Sequence, residues 1–184
     1  MSELLPTRLE GVIEARPKRL GDNRGFFSEV WRRDHWAQFG IEIDWVQDNQ
    51  SMSREGGVLR GLHYQVPPAH QSKLVRVTAG RILDVVVDIR RSSPSFRQWI
   101  AVELSAELWN QLLVPSGFAH GFLTLEPDTQ VQYKVSSYYS PDHDRAIRWN
   151  DPALGINWAM NGMSPTLSAK DAAAPLMADA ELFA

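Results

Sequence analysis

The run Lys73-Leu74-Val75-Arg76-Val77-Thr78-Ala79-Gly80-Arg81-Ile82-Leu83-Asp84-Val85-Val86-Val87-Asp88 decides the fold class. Residues 74–78 and 81–88 are dominated by β-branched and other apolar side chains, and Ala79-Gly80 is a turn signal between them, so two strands are predicted. The same texture continues outward in both directions. Residues 12–15, 26–31, 43–50 and 58–64 read as strands before it, and 99–104, 110–114, 120–125 and 131–139 after it. Ser92-Ser93-Pro94, Pro115-Ser116-Gly117 and Pro127-Asp128 punctuate them. Many short strands with no ten-residue helix between them predict an all-β sandwich or jelly roll. One short helix is expected over 33–39, stopped by Gly40. The Ala-rich stretch 168–183 is expected to be partly helical, with Pro175 limiting its length.

A length of 184 residues predicts one domain over 1–184, long enough to bury a sizeable core. The apolar share of 43% and charged share of 22% are ordinary for a globular protein, which excludes disorder, collagen and coiled coil. Nineteen Lys and Arg against 22 Asp and Glu give a net charge of −3, so no basic footprint calls for nucleic acid. The absence of cysteine excludes disulfides, thiolate zinc sites and cysteine nucleophiles, and fits a reducing compartment. Met1 to Arg8 lacks the basic and apolar regions of a signal peptide. The apolar-rich run Ile82 to Ile89 is too short and too acidic to span a bilayer. A soluble cytoplasmic protein without a membrane partner is expected.

Several polar residues interrupt apolar strands. In Gly57-Val58-Leu59-Arg60-Gly61-Leu62-His63-Tyr64-Gln65, strict alternation puts Leu59 and His63 on one face and Arg60, Leu62 and Tyr64 on the other. Lys73 shares a face with Val75 and Val77. Each has two readings: His63 is a satisfied core histidine or a working one, and Lys73 is a strand end in water or an ammonium in an apolar cavity, which is costly without a partner. His120 opens the strand after the Pro115-Ser116-Gly117 turn, and Tyr133 sits between Val131 and Val135. Ser168-Ala169-Lys170-Asp171 is close to a capping box, so Asp171 is a helix cap or the orienter of a histidine.

Gly57-x5-His63 and Pro115-x-Gly117-x2-His120 resemble the two halves of the metal signature of the cupin jelly-roll superfamily. Gln65 stands in place of its second histidine and Lys73 in place of its glutamate. Two imidazoles without a carboxylate fall short of three protein ligands. The resemblance is to a cupin cavity without its metal.

Longer runs are more specific. Asp22-Asn23-Arg24-Gly25-Phe26-Phe27-Ser28-Glu29, Gln47-Asp48-Asn49-Gln50-Ser51, Val58 to Gln65, Val114 to Phe122, Ile147-Arg148-Trp149-Asn150-Asp151-Pro152 and Leu167-Ser168-Ala169-Lys170-Asp171 resemble, in order, the dTDP-4-dehydrorhamnose 3,5-epimerases. That resemblance implies a cupin-like jelly roll with a few short peripheral helices, a homodimer and no cofactor. The implied reaction converts dTDP-4-dehydro-6-deoxy-D-glucose to dTDP-4-dehydro-L-rhamnose. It implies His63 as base, Asp171 as its orienter, Tyr133 as acid and Lys73 beside the developing enolate. Arg24, Glu29, Gln47, Asn49, Arg60, His120 and Lys170 match substrate-contact positions. The family carries Glu where this chain has Asp144, one methylene shorter. The nearest alternatives are an epimerase acting at C3 or C5 alone, a metal-dependent cupin, and a non-catalytic sugar-nucleotide-binding cupin.

Overall fold

The structure, a computed structural model, describes residues 2–160 and 162–184. Two antiparallel sheets form it. One has the order β1-β2-β10-β7-β12-β5, comprising β1 (Glu3–Pro6), β2 (Ile13–Arg16), β10 (Gln111–Val114), β7 (Lys73–Ala79), β12 (Thr129–Val135) and β5 (Gln47–Ser53). The other has the order β13-β6-β11-β8-β9, comprising β13 (Asp144–Ala146), β6 (Leu59–Gln65), β11 (Phe118–Thr124), β8 (Arg81–Asp88) and β9 (Trp99–Ser105). A separate hairpin pairs β3 (Arg19–Asp22) with β4 (Gly25–Ser28). The helices are short: α1 (Arg33–Ala37), α2 (Ala169–Ala172) and two single 3₁₀ turns. This is the expected all-β jelly roll with peripheral helices.

Alternation along each strand divides the apolar residues among three clusters. Val75 and Val77 of β7, Ile82 and Val86 of β8, Phe118 and Phe122 of β11, and Val131 of β12 fill the space between the sheets. Val85, Val87, Ala119 and Leu123 point the other way and are roofed by Leu154, Trp158 and Met177 of the C-terminal region. Leu74 and Leu113 point outward from the six-stranded sheet beneath Trp36 of α1, with Trp31, Ile41, Ile43 and Trp45 beside them. Both outer faces are covered, so β8 is apolar on both sides and its sequence does not alternate.

Several expectations shift. Residues 43–46 are not strand, because Ile43 and Trp45 pack on the outer face instead, and β5 begins at Gln47. The strand expected over 131–139 ends at Val135. The first helix is five residues, and the C-terminal stretch holds only the four residues of α2 and one 3₁₀ turn. β1, β3 and β13 carry no clear sequence signal. They are three or four residues long and gain strand geometry from their neighbours.

The face assignment in β6 is corrected. Leu59, Leu62 and Tyr64 enter the outer cluster, while Arg60 and His63 share the inner face. The cause is a register shift against β11: His63 pairs with His120 and Arg60 with Phe122, so three steps on β6 oppose two on β11. Such a bulge re-aims side chains. It sits where Gly61 (φ +127°) meets Gly121 so closely that a Cβ on Gly61 would lie 2.5 Å from the Gly121 Cα. Only glycine fits there.

Candidate active site

At one end of the inter-sheet space, polar residues replace apolar ones on the inward faces. They open a cavity of about 410 Å³ lined by Arg60, His63, Lys73, His120, Phe122, Tyr133 and Asp171 among others. An adjoining lobe of about 420 Å³ shares His63, Lys73, Tyr133 and Lys170, and adds Gln47, Asn49, Tyr139 and Asp144. His63 and His120 come from the five-stranded sheet, and Lys73 and Tyr133 from the opposite one.

His63 Nε2 donates to Asp171 Oδ1 at 2.5 Å across 108 residues of chain. Asp171 is also at the start of α2, where its backbone N–H donates to Ser168 Oγ at 3.1 Å. Cap and orienter therefore coexist: Ser168 caps the helix, and the Asp171 carboxylate is turned to the histidine. Burial alone would raise the Asp171 carboxyl, but the His63 hydrogen bond and charge, with smaller help from Ser168 and Lys170, hold it below the ordinary value. With Nε2 committed, a neutral His63 presents Nδ1 as a proton acceptor.

Lys73 resolves to the cavity reading. Its Nζ lies 3.4 Å from the His63 carbonyl oxygen. Burial takes the ammonium from its usual value down to about 8, with Asp84 and then Asp144 opposing the fall and Lys170 adding to it. Burial also raises the Tyr133 phenol, against Arg60, so it stays protonated near neutrality. His120 is buried with Nε2 at 2.9 and 3.0 Å from the two oxygens of Asp84. Arg60 reaches Ser53 Oγ at 3.4 Å, while its buried Nε finds no partner among the described residues.

Gln47 and Asn49 stand on one face of β5, joined by a 2.7 Å side-chain hydrogen bond. Asp144 Oδ2 accepts from Lys170 Nζ and, at 3.0 Å, from the Tyr139 hydroxyl. Arg24 and Glu29 are not brought to this cavity. Arg24 lies in the β3–β4 turn on Asp22, and Glu29 faces Arg32 at 3.7 Å. The buried Gln65 amide is spent on the Ala69 and Tyr138 carbonyls and the Ser140 N–H, so it ties down two loops. Among the described residues no group of three or more His, Cys, Asp or Glu is placed to hold a metal ion.

Tyr139, which lines the adjoining lobe, and Asp84, which holds the cavity-lining His120 from behind, are residues the sequence reading missed. Asp84 had a signal: a carboxylate in the middle of an apolar run is costly to bury unless something in the fold needs it. Tyr139 had none, because it follows the end of its strand.

A jelly roll with an oriented imidazole, a half-buried phenol and a desolvated lysine ammonium around one cavity defines a cupin-like acid–base enzyme. A family model described as dTDP-4-dehydrorhamnose 3,5-epimerase matches residues 6–179. The chain belongs to that family. It is 47% identical over 183 residues to the dTDP-4-dehydrorhamnose 3,5-epimerase of Salmonella typhimurium, covering 99% of both chains. A Legionella pneumophila dTDP-6-deoxy-D-glucose-3,5-epimerase, solved in complex with dTDP-4-keto-L-rhamnose, superposes with a TM-score of 0.92 at 43% identity, over 97% of this chain and 94% of that one. A 3'-monoepimerase from Streptomyces bikiniensis, in complex with dTDP-quinovose, matches with a TM-score of 0.88 at 36% identity, over 95% of this chain and 87% of that one.

Proposed function

We propose that the chain inverts C3 and C5 of dTDP-4-dehydro-6-deoxy-D-glucose, giving dTDP-4-dehydro-L-rhamnose for dTDP-rhamnose biosynthesis. The observation that carries this reading is the 2.5 Å His63–Asp171 pair in a cavity whose opposite wall holds Tyr133 and Lys73. Both carbons flank the C4 ketone, so their protons are acidic. His63 Nδ1 removes the proton and Asp171 supports the resulting imidazolium. Lys73 Nζ stabilises the negative charge that develops on the ketone oxygen. Tyr133, kept protonated by partial burial, returns a proton to the other face. The same ketone activates each carbon in turn, and no hydride leaves, so no redox cofactor enters the reaction. Arg60 and Lys170 suit the pyrophosphate, with Gln47, Asn49, His120 and Asp144 as the remaining substrate contacts.

Residues 1–184 act as one domain, in the cytoplasm and as a homodimer. In support, no helix among the described residues is long and apolar enough to cross a membrane. The β3–β4 hairpin exposes Leu20, Phe26 and Phe27, the last at 68%. A second copy covering that hairpin would bring Arg24 and Glu29 to its own cavity. The mass of the purified protein in solution checks the dimer.

The decisive experiment is turnover of dTDP-4-dehydro-6-deoxy-D-glucose in deuterated water, with the product read by NMR. Two incorporated deuterons with both centres inverted are expected. One deuteron supports the second reading, a single-carbon epimerase, which the likeness to the 3'-monoepimerase favours. Binding without turnover identifies a non-catalytic module.

A further inference from the structure

The proposed reaction uses one histidine–carboxylate pair; a second cavity-lining histidine, His120, is paired with a carboxylate buried behind the lining. His120 is the cross-strand neighbour of His63, and its Nε2 points away to Asp84 on β8. Asp84 is fully buried and lies between Ile82 and Val86, both in the inter-sheet core, so its carboxylate is aimed into the same space as Lys73. A buried carboxylate is costly unless paired and hydrogen-bonded. Its one side-chain partner among the described residues is His120 Nε2.

We propose that Asp84 is a positioning residue, a buried counter-charge that keeps Lys73 cationic and fixes the ring of His120 without touching the substrate. This rests on the reading of Lys73 as the cation beside the enolate. The charged and titratable groups around Lys73 are Arg60 and His63 from β6, Asp84 from β8, His120 from β11, Tyr133 from β12, Asp144 from β13, and Lys170 and Asp171 from α2, with Tyr139 from the loop before β13. Of these, Asp84 is the strongest influence holding the proton on Lys73, ahead of Asp144, while burial and Lys170 work the other way. The enolate needs the ammonium, so activity falls as pH rises through the Lys73 value near 8. Neutralising Asp84 lowers that value and moves the fall to lower pH.

The test is the pH profile of kcat/KM for wild type, Asp84→Asn and His120→Asn, together with NMR titration of the Lys73 side chain in each free enzyme. Asp84→Asn is expected to move both the alkaline limb and the NMR midpoint down by about one unit, a roughly tenfold activity loss on the alkaline side that shrinks toward acid pH. His120→Asn is expected to lower turnover and leave the NMR midpoint near 8. An Asp84→Asn midpoint equal to wild type overturns the proposal, as does an equal downward shift in His120→Asn. Asp84→Glu keeps the charge and is expected to keep the midpoint. A downward shift of a unit in that variant also overturns the proposal, and it tests the idea even where the asparagine variant does not fold. The NMR readout does not depend on turnover. A Lys73→Met enzyme with normal activity therefore sinks the catalytic reading of Lys73 separately from the electrostatic one.

Discussion

Asp84 and Asp88 lie four residues apart on the same face of β8, and both are fully buried. Their surroundings differ completely. Asp88 Oδ1 accepts from the Arg90 backbone N–H at 3.0 Å and from its Nε at 2.9 Å. Oδ2 accepts from Arg90 Nη2, Ser93 Oγ and Ser95 Oγ at 2.7, 2.6 and 2.7 Å. Asp84 has His120 alone among the described residues. Burial would raise the Asp88 carboxyl, but Arg90 and the two serines outweigh it and bring it to about 2. A carboxylate whose lone pairs are all spent has nothing left for a ligand, and it clamps the turn after β8. A carboxylate whose one side-chain partner lines a cavity has lone pairs left over, and it acts on that cavity through the partner. Burial alone therefore does not separate a structural polar residue from a functional one; the count of satisfied partners does.

The largest expected effect lies at the cavity end. His63→Asn removes the base and should lower kcat by about 10²–10⁴-fold, roughly 3–5.5 kcal/mol of barrier, with substrate binding weakened far less and Tm close to wild type. A near-normal kcat measured by product NMR returns His63 to the class of satisfied core histidines and erases the contrast with Asp88.

Next come Lys73 and Tyr133, which sharpen the roles. Lys73→Met should suppress solvent exchange of the substrate α-proton and inversion together, by about 10²–10³-fold, because both pass through the enolate. Tyr133→Phe keeps the ring in the core and loses only the hydroxyl, so exchange should persist while inversion is lost. Deuterium incorporation against product formation separates these outcomes, and normal inversion in Tyr133→Phe removes the phenol from the proton path.

At the Asp88 end the expected effect is on stability. The folded carboxyl is near 2 against an ordinary value of 3.8, so its contribution is present above the ordinary value and is lost as pH falls toward 2. The shift corresponds to about 2 kcal/mol. Asp88→Asn should cost about that much near pH 7 in denaturant unfolding and flatten the acid limb of stability, while turnover below the melting range stays unchanged. A loss of activity without a loss of stability would place Asp88 in the machinery and break the comparison.

The smallest expected effect is none. Gln65 is committed to three loop groups, and an ammonium stands at the position of the cupin carboxylate. Exhaustive chelation should leave turnover unchanged. Activity abolished by the chelator and restored by one divalent ion would replace the acid–base reading with a metal-dependent one.

The strands of both sheets were largely legible, with edges off by one to four residues, because β-branched runs and Gly/Pro turns act locally. Strand β8 matched residue for residue, since Ala79-Gly80 and Ser92-Ser93-Pro94 bound it on both sides. The short strands β1, β3 and β13 were not legible, because pairing rather than composition makes them. The individual motifs around His63, His120 and Lys170 were visible as interruptions of apolar patterns or as family-like runs. Asp84 was visible too, but only as a charge that disqualifies a membrane span.

By itself the sequence determined an all-β fold, the identity of the polar residues that interrupt its core, and the Gln65 and Lys73 departures from a cupin metal set. Those follow from composition and period, which are properties of neighbours along the chain. Only the tertiary structure decided which of those residues meet. The bulge at Gly61 turns Arg60 and His63 to the same face against the simple alternation. The C-terminal helix carries Asp171 to His63 across 108 residues, and β8 carries Asp84 to His120 across 36. The β3–β4 hairpin holds Arg24 away from the cavity of its own chain. Contacts between distant segments depend on register and on how the two sheets stack, and no periodicity within one strand encodes either.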